Sequence, residues 1–313
     1  MKPKTLNKIV VVGSYLVALV METKRIPLKG ETVRASNFRT VHGGKGSNQA
    51  VQAARLGAGV SFVGTVGSDN FGSEFLKLCK QENINTEFVY RHPDLPTGAG
   101  FIICSEDGHN IISIDIGAIN SFKEAEIDKA SGIFTDECIV LLQLEIPINT
   151  ALYAAKIAKQ KGATVILNPA PASNLSSEDL SCIDYLTPNE KEARVCMGID
   201  PNDTRTNAEI GKHILNTGCK NVIITQGESG SLLVNRELQL LVEAFNIKNI
   251  VDSTGAGDAY NAALATALIN GLCIEKAMRY ANAAGSLACT KRDTIPSMHY
   301  KNEIETFLNN QKI

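Results

Sequence analysis

Residues 138–144 read CIVLLQL, an apolar run that closes on Gln143-Leu144 and is followed by Glu145. A run of this length without alternation suits a strand buried on both faces, as in a parallel sheet. Four other stretches share the character: 8–13 (KIVVVG), 60–64 (VSFVG), 163–168 (ATVILN) and 221–225 (NVIIT), bounded by Gly, Asn or Gln. Helical periodicity fills intervals between them, at 71–81, 150–160 and 208–216. The repetition predicts an α/β fold, a three-layer sandwich whose doubly wound, mostly parallel central sheet is covered by helices on both faces. Glu145 then stands at a strand's C-terminal edge, where open α/β sheets gather ligands, unless it belongs to a plain loop.

Two segments break the rhythm. Residues 31–41 and 97–116 lack helical spacing, and the second reads as a hairpin turning at Glu106-Asp107-Gly108. Its return strand alternates Ile112, Ile114 and Ile116 with Ser113 and Asp115, so one face is apolar. The chain is expected to form one domain over 1–313, with a small β-sheet lid from roughly 15–42 and 97–117. That apolar face needs cover from a substrate or a second copy of the chain. From about Gly255 the chain turns helical, at 259–272, 274–290 and 301–308.

The 313 residues carry 31 basic and 33 acidic side chains, a formal net charge of −2. This gives no electrostatic reason to expect nucleic acid or an anionic membrane as partner. No run approaches 18 apolar residues, and the opening MKPKTLNKIVVVGS reads as a first strand rather than a signal peptide. The eight cysteines are scattered without a CxxC pair, which predicts reduced thiols and a cytoplasmic protein.

At 252–258 the chain reads Asp-Ser-Thr-Gly-Ala-Gly-Asp, before an Ala-rich helical stretch. Gly255, Ala256 and Gly257 at a helix start let backbone N–H groups approach an anion, and the helix dipole favours negative charge there. Asp258 would repel that anion unless it has a task. The task on offer is accepting a proton from a hydroxyl that attacks a phosphoryl group. A lone Gly-x-Gly would be a turn with a first-turn acid; the full seven-residue string favours the chemistry.

Residues 42–48, His-Gly-Gly-Lys-Gly-Ser-Asn, do not have Walker A spacing. Gly43 and Gly44 before a helix either expose backbone to a sugar, with Asn48 donating and accepting hydrogen bonds, or simply make a tight turn. In Pro188-Asn189-Glu190-Lys191-Glu192, Asn189 and Glu192 share one face of a starting helix. That spacing suits hard oxygen ligands for Mg²⁺ and equally a helix N-cap. Residues 225–230 (TQGESG) follow a strand and would wall a nucleotide or be only a loop. The five histidines show no metal spacing, and no Ser-His-Asp arrangement is visible. No Gly-x-Gly-x-x-Gly follows the first strand, which disfavours a dinucleotide oxidoreductase.

Taken in order, GSYL…RIPLKGETV, GGKGSNQAVQAARLGA, QLEIP, NPAPAS, TPNEKEA, ITQGESG, VDSTGAGDAYNAAL and a closing IPS resemble the ribokinase-like family of carbohydrate kinases. GGKGSNQA narrows the likeness to its ribokinase branch. The resemblance implies a four-stranded lid shared across a homodimer, and transfer of the ATP γ-phosphoryl to a sugar's primary hydroxyl with Mg²⁺ and K⁺. It implies Asp258 as base, with Gly255, Ala256 and Gly257 holding the phosphoryl anion. Gly43, Gly44, Lys45, Asn48 and Glu145 would face the sugar. Asn189, Thr225, Gly227, Gly230, Gly257 and Asn282 would surround ATP. Asn189 and Glu192 would organise Mg²⁺, and Asp252 with the Thr254 carbonyl would bind K⁺.

The chain departs from that pattern where its sugar pocket is expected. The family's Asn and Asp after the first strand are Leu16 and Ala18 here, and its Gly-Ala-Asn lid segment reads Gly117-Ala118-Ile119, with Asn120 next. Losing hydroxyl contacts removes discrimination. Ribose or a related pentose is the acceptor the resemblance implies, and the altered pocket points to a less hydroxylated, larger or differently oriented substrate, with Tyr15 filling space. Asp293 replaces a usual glycine near the cation loop, adding a carboxylate to a carbonyl-lined site. The alternatives are a kinase of another sugar, polyol or nucleoside, and a non-catalytic sugar- or nucleotide-binding homologue; full lid strands count against a nucleoside kinase.

Overall fold

In the computed structural model, which describes residues 8–107 and 109–311, the five apolar runs lie in one nine-stranded sheet. The strands are β1 (Lys8–Val12), β2 (Leu16–Thr23), β3 (Ser36–Gly43), β4 (Gly59–Gly67), β5 (Asn85–His92), β6 (Thr97–Ser105), β7 (Asn110–Gly117), β8 (Cys138–Gln143), β9 (Thr164–Asn168), β10 (Tyr185–Leu186), β11 (Asn221–Thr225), β12 (Ser231–Val234) and β13 (Gln239–Val242). The helices are α1 (Lys45–Arg55), α2 (Asn70–Gln81), α3 (Glu124–Ala130), α4 (Ile148–Gln160), α5 (Glu190–Cys196), α6 (Asn207–Leu215), α7 (Ala256–Ile269), α8 (Ile274–Ala288) and α9 (Lys301–Asn310). The expected hairpin turn includes Gly108, which lies outside the described residues, as do residues 1–7.

The large sheet runs β13-β12-β11-β10-β9-β8-β1-β4-β5, parallel from β11 to β5 and antiparallel at β12 and β13. Its pleat explains the unbroken hydrophobicity: Ile9 and Val11 enter one apolar cluster, Val10 and Val12 the other. The chain departs from β1 towards β4 on one side and β8 on the other, with Val12 level with both Val63 and Leu142. The residues leaving β1 and β8 therefore emerge together at the switch point.

Strands β5, β12 and β13 carry no long apolar run and were not legible as strands. β5 and β13 are the two edges of the sheet, where one side is less covered, and β12 is only four residues long. Helix α7 begins three residues ahead of the expected 259, because left-handed Gly255 (φ 84°) starts it. Ala259 to Ala267 are buried all round, and their small side chains let α7 sit closely against α1 and α8.

The second sheet is four-stranded, in the order β3-β2-β6-β7. Residues 31–35, expected as extended strand, precede β3 instead. Ile112 and Ile114 remain 51 % and 55 % exposed, so the described chain does not cover the apolar face read from the alternation. Among the described residues no helix is long and apolar enough to cross a membrane.

Candidate active site at the sheet switch point

Helix α1 enters the crevice polar end first. Ser47, Asn48 and Gln49 are all buried, and the turn before them depends on glycine. Gly44 has φ +92°, and a Cβ there would lie 2.8 Å from Leu16 N; one on Gly46 would lie 2.5 Å from Ser14 N. The close approach brings the Lys45 N–H to Glu145 Oε2 (2.7 Å), where the Ser14 hydroxyl also donates.

Asp258 sits in the first turn of α7 and is 5 % exposed. Asn48 Nδ2 donates to its Oδ2 (2.8 Å) and Gln49 Nε2 to its Oδ1 (3.1 Å). No side chain caps α7 at Gly255; Ala256 N–H donates to the Ser253 carbonyl (3.2 Å), and the N–H groups of Gly257 and Asp258 that follow it offer their capacity to an anion. A Cβ on Gly257 would meet nothing within 4 Å, so this turn faces open space.

Three carboxylates act on one ammonium. Burial alone would lower Lys45, but Asp258, Glu145 and Glu192 together hold it above its ordinary value. Burial pushes Glu145 up against the opposing Ser14 and Lys45 contacts, and Asp258 adds to the rise. Glu192 is raised the same way, by burial first, with Lys45 opposing and Asp258 adding. The crevice thus gathers buried charge that an anionic ligand and its counter-cation would rebalance.

Asn189 and Glu192 form a reciprocal N-cap: Glu192 N–H donates to Asn189 Oδ1 and Asn189 N–H to Glu192 Oε2, each at 2.9 Å. Asn189 also bridges to Thr225 at the end of β11. Gly227 (φ +55°) and Gly230 (φ +95°) bend the loop beyond it, and a Cβ on Gly230 would collide with the Val242 carbonyl. Asn282 is not turned outward to a ligand through its donor: Nδ2 donates to the carbonyls of Val242 (2.9 Å) and Glu243 (3.1 Å), tying α8 to the rim of this loop.

In the loop before α7, Asp252 Oδ1 accepts from Thr254 N (2.9 Å) and Oδ2 from Asp293 N (3.1 Å). Asp293 takes the left-handed φ of 63°, a backbone path natural to glycine. Its carboxylate turns to Arg39 of β3 (3.6 Å) rather than into the loop.

Leu16 is 8 % exposed and shares an apolar cluster with Ile119. Both press on Gly98, where a Cβ would collide with Leu16 Cδ2 and stand 3.2 Å from Ile119 Cδ1. The two apolar replacements are therefore packed around one point, and Asn120 stays exposed instead of taking the place of Ile119. Ala18 is half-buried, level with Val41 and Gly100. Tyr15 does not fill the pocket: it is fully buried, stacked on Phe75 (4.2 Å) and hydrogen-bonded to His42 Nδ1 (2.7 Å).

Three partners of the site escaped the sequence reading: Ser14, Gln49 and Gln143. The local signal for Gln49 was the polar run Gly46-Ser47-Asn48-Gln49 that opens α1, and Gln143 stood where an apolar run closes.

The model of the pfkB family carbohydrate kinases matches residues 6–301. The ribokinase of Bacillus subtilis is 37% identical over 97% of this chain and 100% of its own, and that of Haemophilus influenzae 34% over 95% and 97%. The structure of Arabidopsis thaliana ribokinase complexed with ribose and ATP superimposes with a TM-score of 0.88 at 31% identity, over 97% and 99% of the two chains. An uncapped helix start beside a buried aspartate, at the switch point of this sheet and within these likenesses, identifies an ATP-dependent phosphotransferase: the chain belongs to the pfkB family of carbohydrate kinases.

Proposed function

We propose that this kinase transfers the γ-phosphoryl group of ATP to the primary hydroxyl of a small pentose, D-ribose. The observation that carries the proposal is Asp258, buried in the first turn of an uncapped helix and held by two side-chain amides. In the step, the sugar hydroxyl oxygen bonds to the γ-phosphorus as its proton passes to Asp258. The bond to the β–γ bridging oxygen breaks and ADP leaves. The opening N–H groups of α7 meet the charge on the transferring group, and Lys45 supplies a cation between the sugar and phosphate sides. Asn48 and Glu145 orient the acceptor alcohol.

Glu192 fits Mg²⁺: it is a half-buried carboxylate electrostatically coupled to Asp258 and Lys45, and only its Oε2 is engaged in the cap. With the Asn189 amide oxygen beside it, it would hold the ion through water. The ion would neutralise phosphate charge. The Asp252 loop fits K⁺: Asp293 keeps the glycine-like path and its carboxylate lies 3.6 Å from Arg39, while Asp252 and the Thr254 carbonyl offer oxygen donors. That ion would fix the loop before α7. Thr225, Gly227 and Gly230 would line the nucleotide site, with Asn282 bracing its rim. Two chains would pair through the lid, and eight free cysteines favour the cytoplasm.

A second reading is 2-deoxyribose, favoured by the apolar Leu16–Ile119 packing around Gly98. The test is ATP consumption with ribose, 2-deoxyribose, other pentoses, hexoses and ribonucleosides, beside Asp258→Asn. Ribose-dependent ADP formation that Asp258→Asn reduces by about 10³-fold or more is expected. No turnover with any alcohol would leave only a binding homologue, and retained turnover in Asp258→Asn would remove the base.

A further inference from the structure

Behind the Gln49–Asp258 contact lies a further buried amide, Gln143, which touches neither Asp258 nor any group given a part in the transfer. Gln49 and Gln143 are both 0 % exposed. Gln143 Nε2 donates to Gln49 Oε1 (2.6 Å), and Gln49 Nε2 donates to Asp258 Oδ1 (3.1 Å). The chain crosses from the end of β8 through α1 to α7, joining residues 94 and 209 positions apart.

This chain has a direction, and the carboxylate sets it. An ionised carboxylate only accepts, so Gln49 must present its NH₂ to Asp258. Its carbonyl then faces away, and Gln143 must donate to it. A reversed Gln143 would set two carbonyl oxygens against each other. The molecule accepts a cost for this arrangement: Gln143 Oε1 is buried without a hydrogen-bond partner. Gly13 makes the room for it, since a Cβ at that position would collide with Gln143 Oε1.

The chain works against a competing cation. Lys45 interacts with Asp258, Glu145 and Glu192, so an Asp258 freed from its amides has a competing ammonium close by. A carboxylate drawn to Lys45 is turned from the alcohol it must deprotonate. We infer that Gln49 is a positioning residue for Asp258, and that Gln143 acts on the reaction only through Gln49, by fixing which way its amide points. The inference rests on the reading of Asp258 as the base.

Steady-state kinetics of the full-length protein with ribose and ATP test it, or with whichever sugar the substrate screen selects. Gln49→Met keeps the volume and removes the donor; kcat is expected to fall about 10-fold or more with the KM for ATP unchanged. Gln49→Glu keeps the shape but sets a second carboxylate against Asp258, and is expected to lose more than Gln49→Met. Gln143→Met is expected to cost less than Gln49→Met, and nothing further in the Gln49→Met background. Thermal melting of each variant separates these effects from misfolding. Near-native kcat in Gln49→Glu, or a Gln143→Met loss that adds in full to that of Gln49→Met, would overturn the relay. Because Asp258→Asn is measured alongside, an inactive Asp258→Asn with an unaffected Gln49→Met sinks the relay alone, whereas an active Asp258→Asn sinks the base itself. If Gln49→Met does not fold, the Gln143→Met and Gln49→Glu arms still decide: near-native kcat in both overturns the relay.

Discussion

Asn48 Nδ2 donates to Asp258 Oδ2 at 2.8 Å, although 210 residues separate the two in the chain. The contact joins the first turn of α1 to the first turn of α7. It leaves Asn48 Oδ1 buried without a hydrogen-bond partner. Such an acceptor costs about 1–3 kcal/mol, and a substrate hydroxyl is the donor that would relieve it.

Asn48→Leu is therefore expected to raise the KM for the sugar about 10-fold or more and to lower kcat, while the KM for ATP stays within about twofold. Initial-rate kinetics with each substrate varied in turn check this. An unchanged sugar KM would mean that Asn48 serves Asp258 alone.

Two glycines should behave oppositely. Gly257→Ala places a methyl where nothing lies within 4 Å, in a helix where Ala is favoured over Gly by about 1 kcal/mol. The melting temperature should hold or rise while turnover drops at least about 10-fold, because the methyl enters the space before the opening N–H groups. Gly230→Ala combines φ +95° with a collision on the Val242 carbonyl and should lose more than about 1 kcal/mol of stability. Melting curves and kinetics on both variants decide it; a destabilised Gly257→Ala would count against an open helix start.

Glu145 predicts a pH dependence. Burial holds its carboxyl above the unfolded value, about 4.3, so the folded protein binds its proton more tightly than the unfolded chain does. The ionised form then opposes folding at neutral pH, and that opposition fades as pH falls through the folded pKa towards 4. Glu145→Gln is expected to melt higher than the parent at pH 8, with the gap closing near pH 4, and to bind the sugar more weakly. A gap that does not vary with pH would contradict the assignment.

On the lid, Ile114 is 55 % exposed on a face that carries Ile112 as well. If this face pairs two chains, Ile114→Lys should convert a dimer to a monomer in sedimentation velocity, since a charge cannot be buried there unpaired. A wild-type chain that sediments as a monomer at micromolar concentration would refute lid pairing.

Much of this molecule could be read in one dimension. Five parallel strands, β1, β4, β8, β9 and β11, betrayed themselves through unbroken apolar runs, as both faces of each are covered. The start of α7 was legible in Gly255-Ala256-Gly257-Asp258, because helix-end chemistry is local to one turn. Strand β5, at the sheet edge, alternates loosely and offered no such run.

The sequence by itself determined the five buried apolar strands, the glycine-led start of α7 and the acid beside it, since each depends on neighbours within a few residues. Only the tertiary structure decided what those groups touch. It turned Asn48 and Gln49 onto Asp258, sent Tyr15 into the core against Phe75, and packed Leu16 with Ile119 around Gly98. Hydrogen bonds and packing contacts act over a few ångströms of space, and the fold alone sets which distant residues come within that reach.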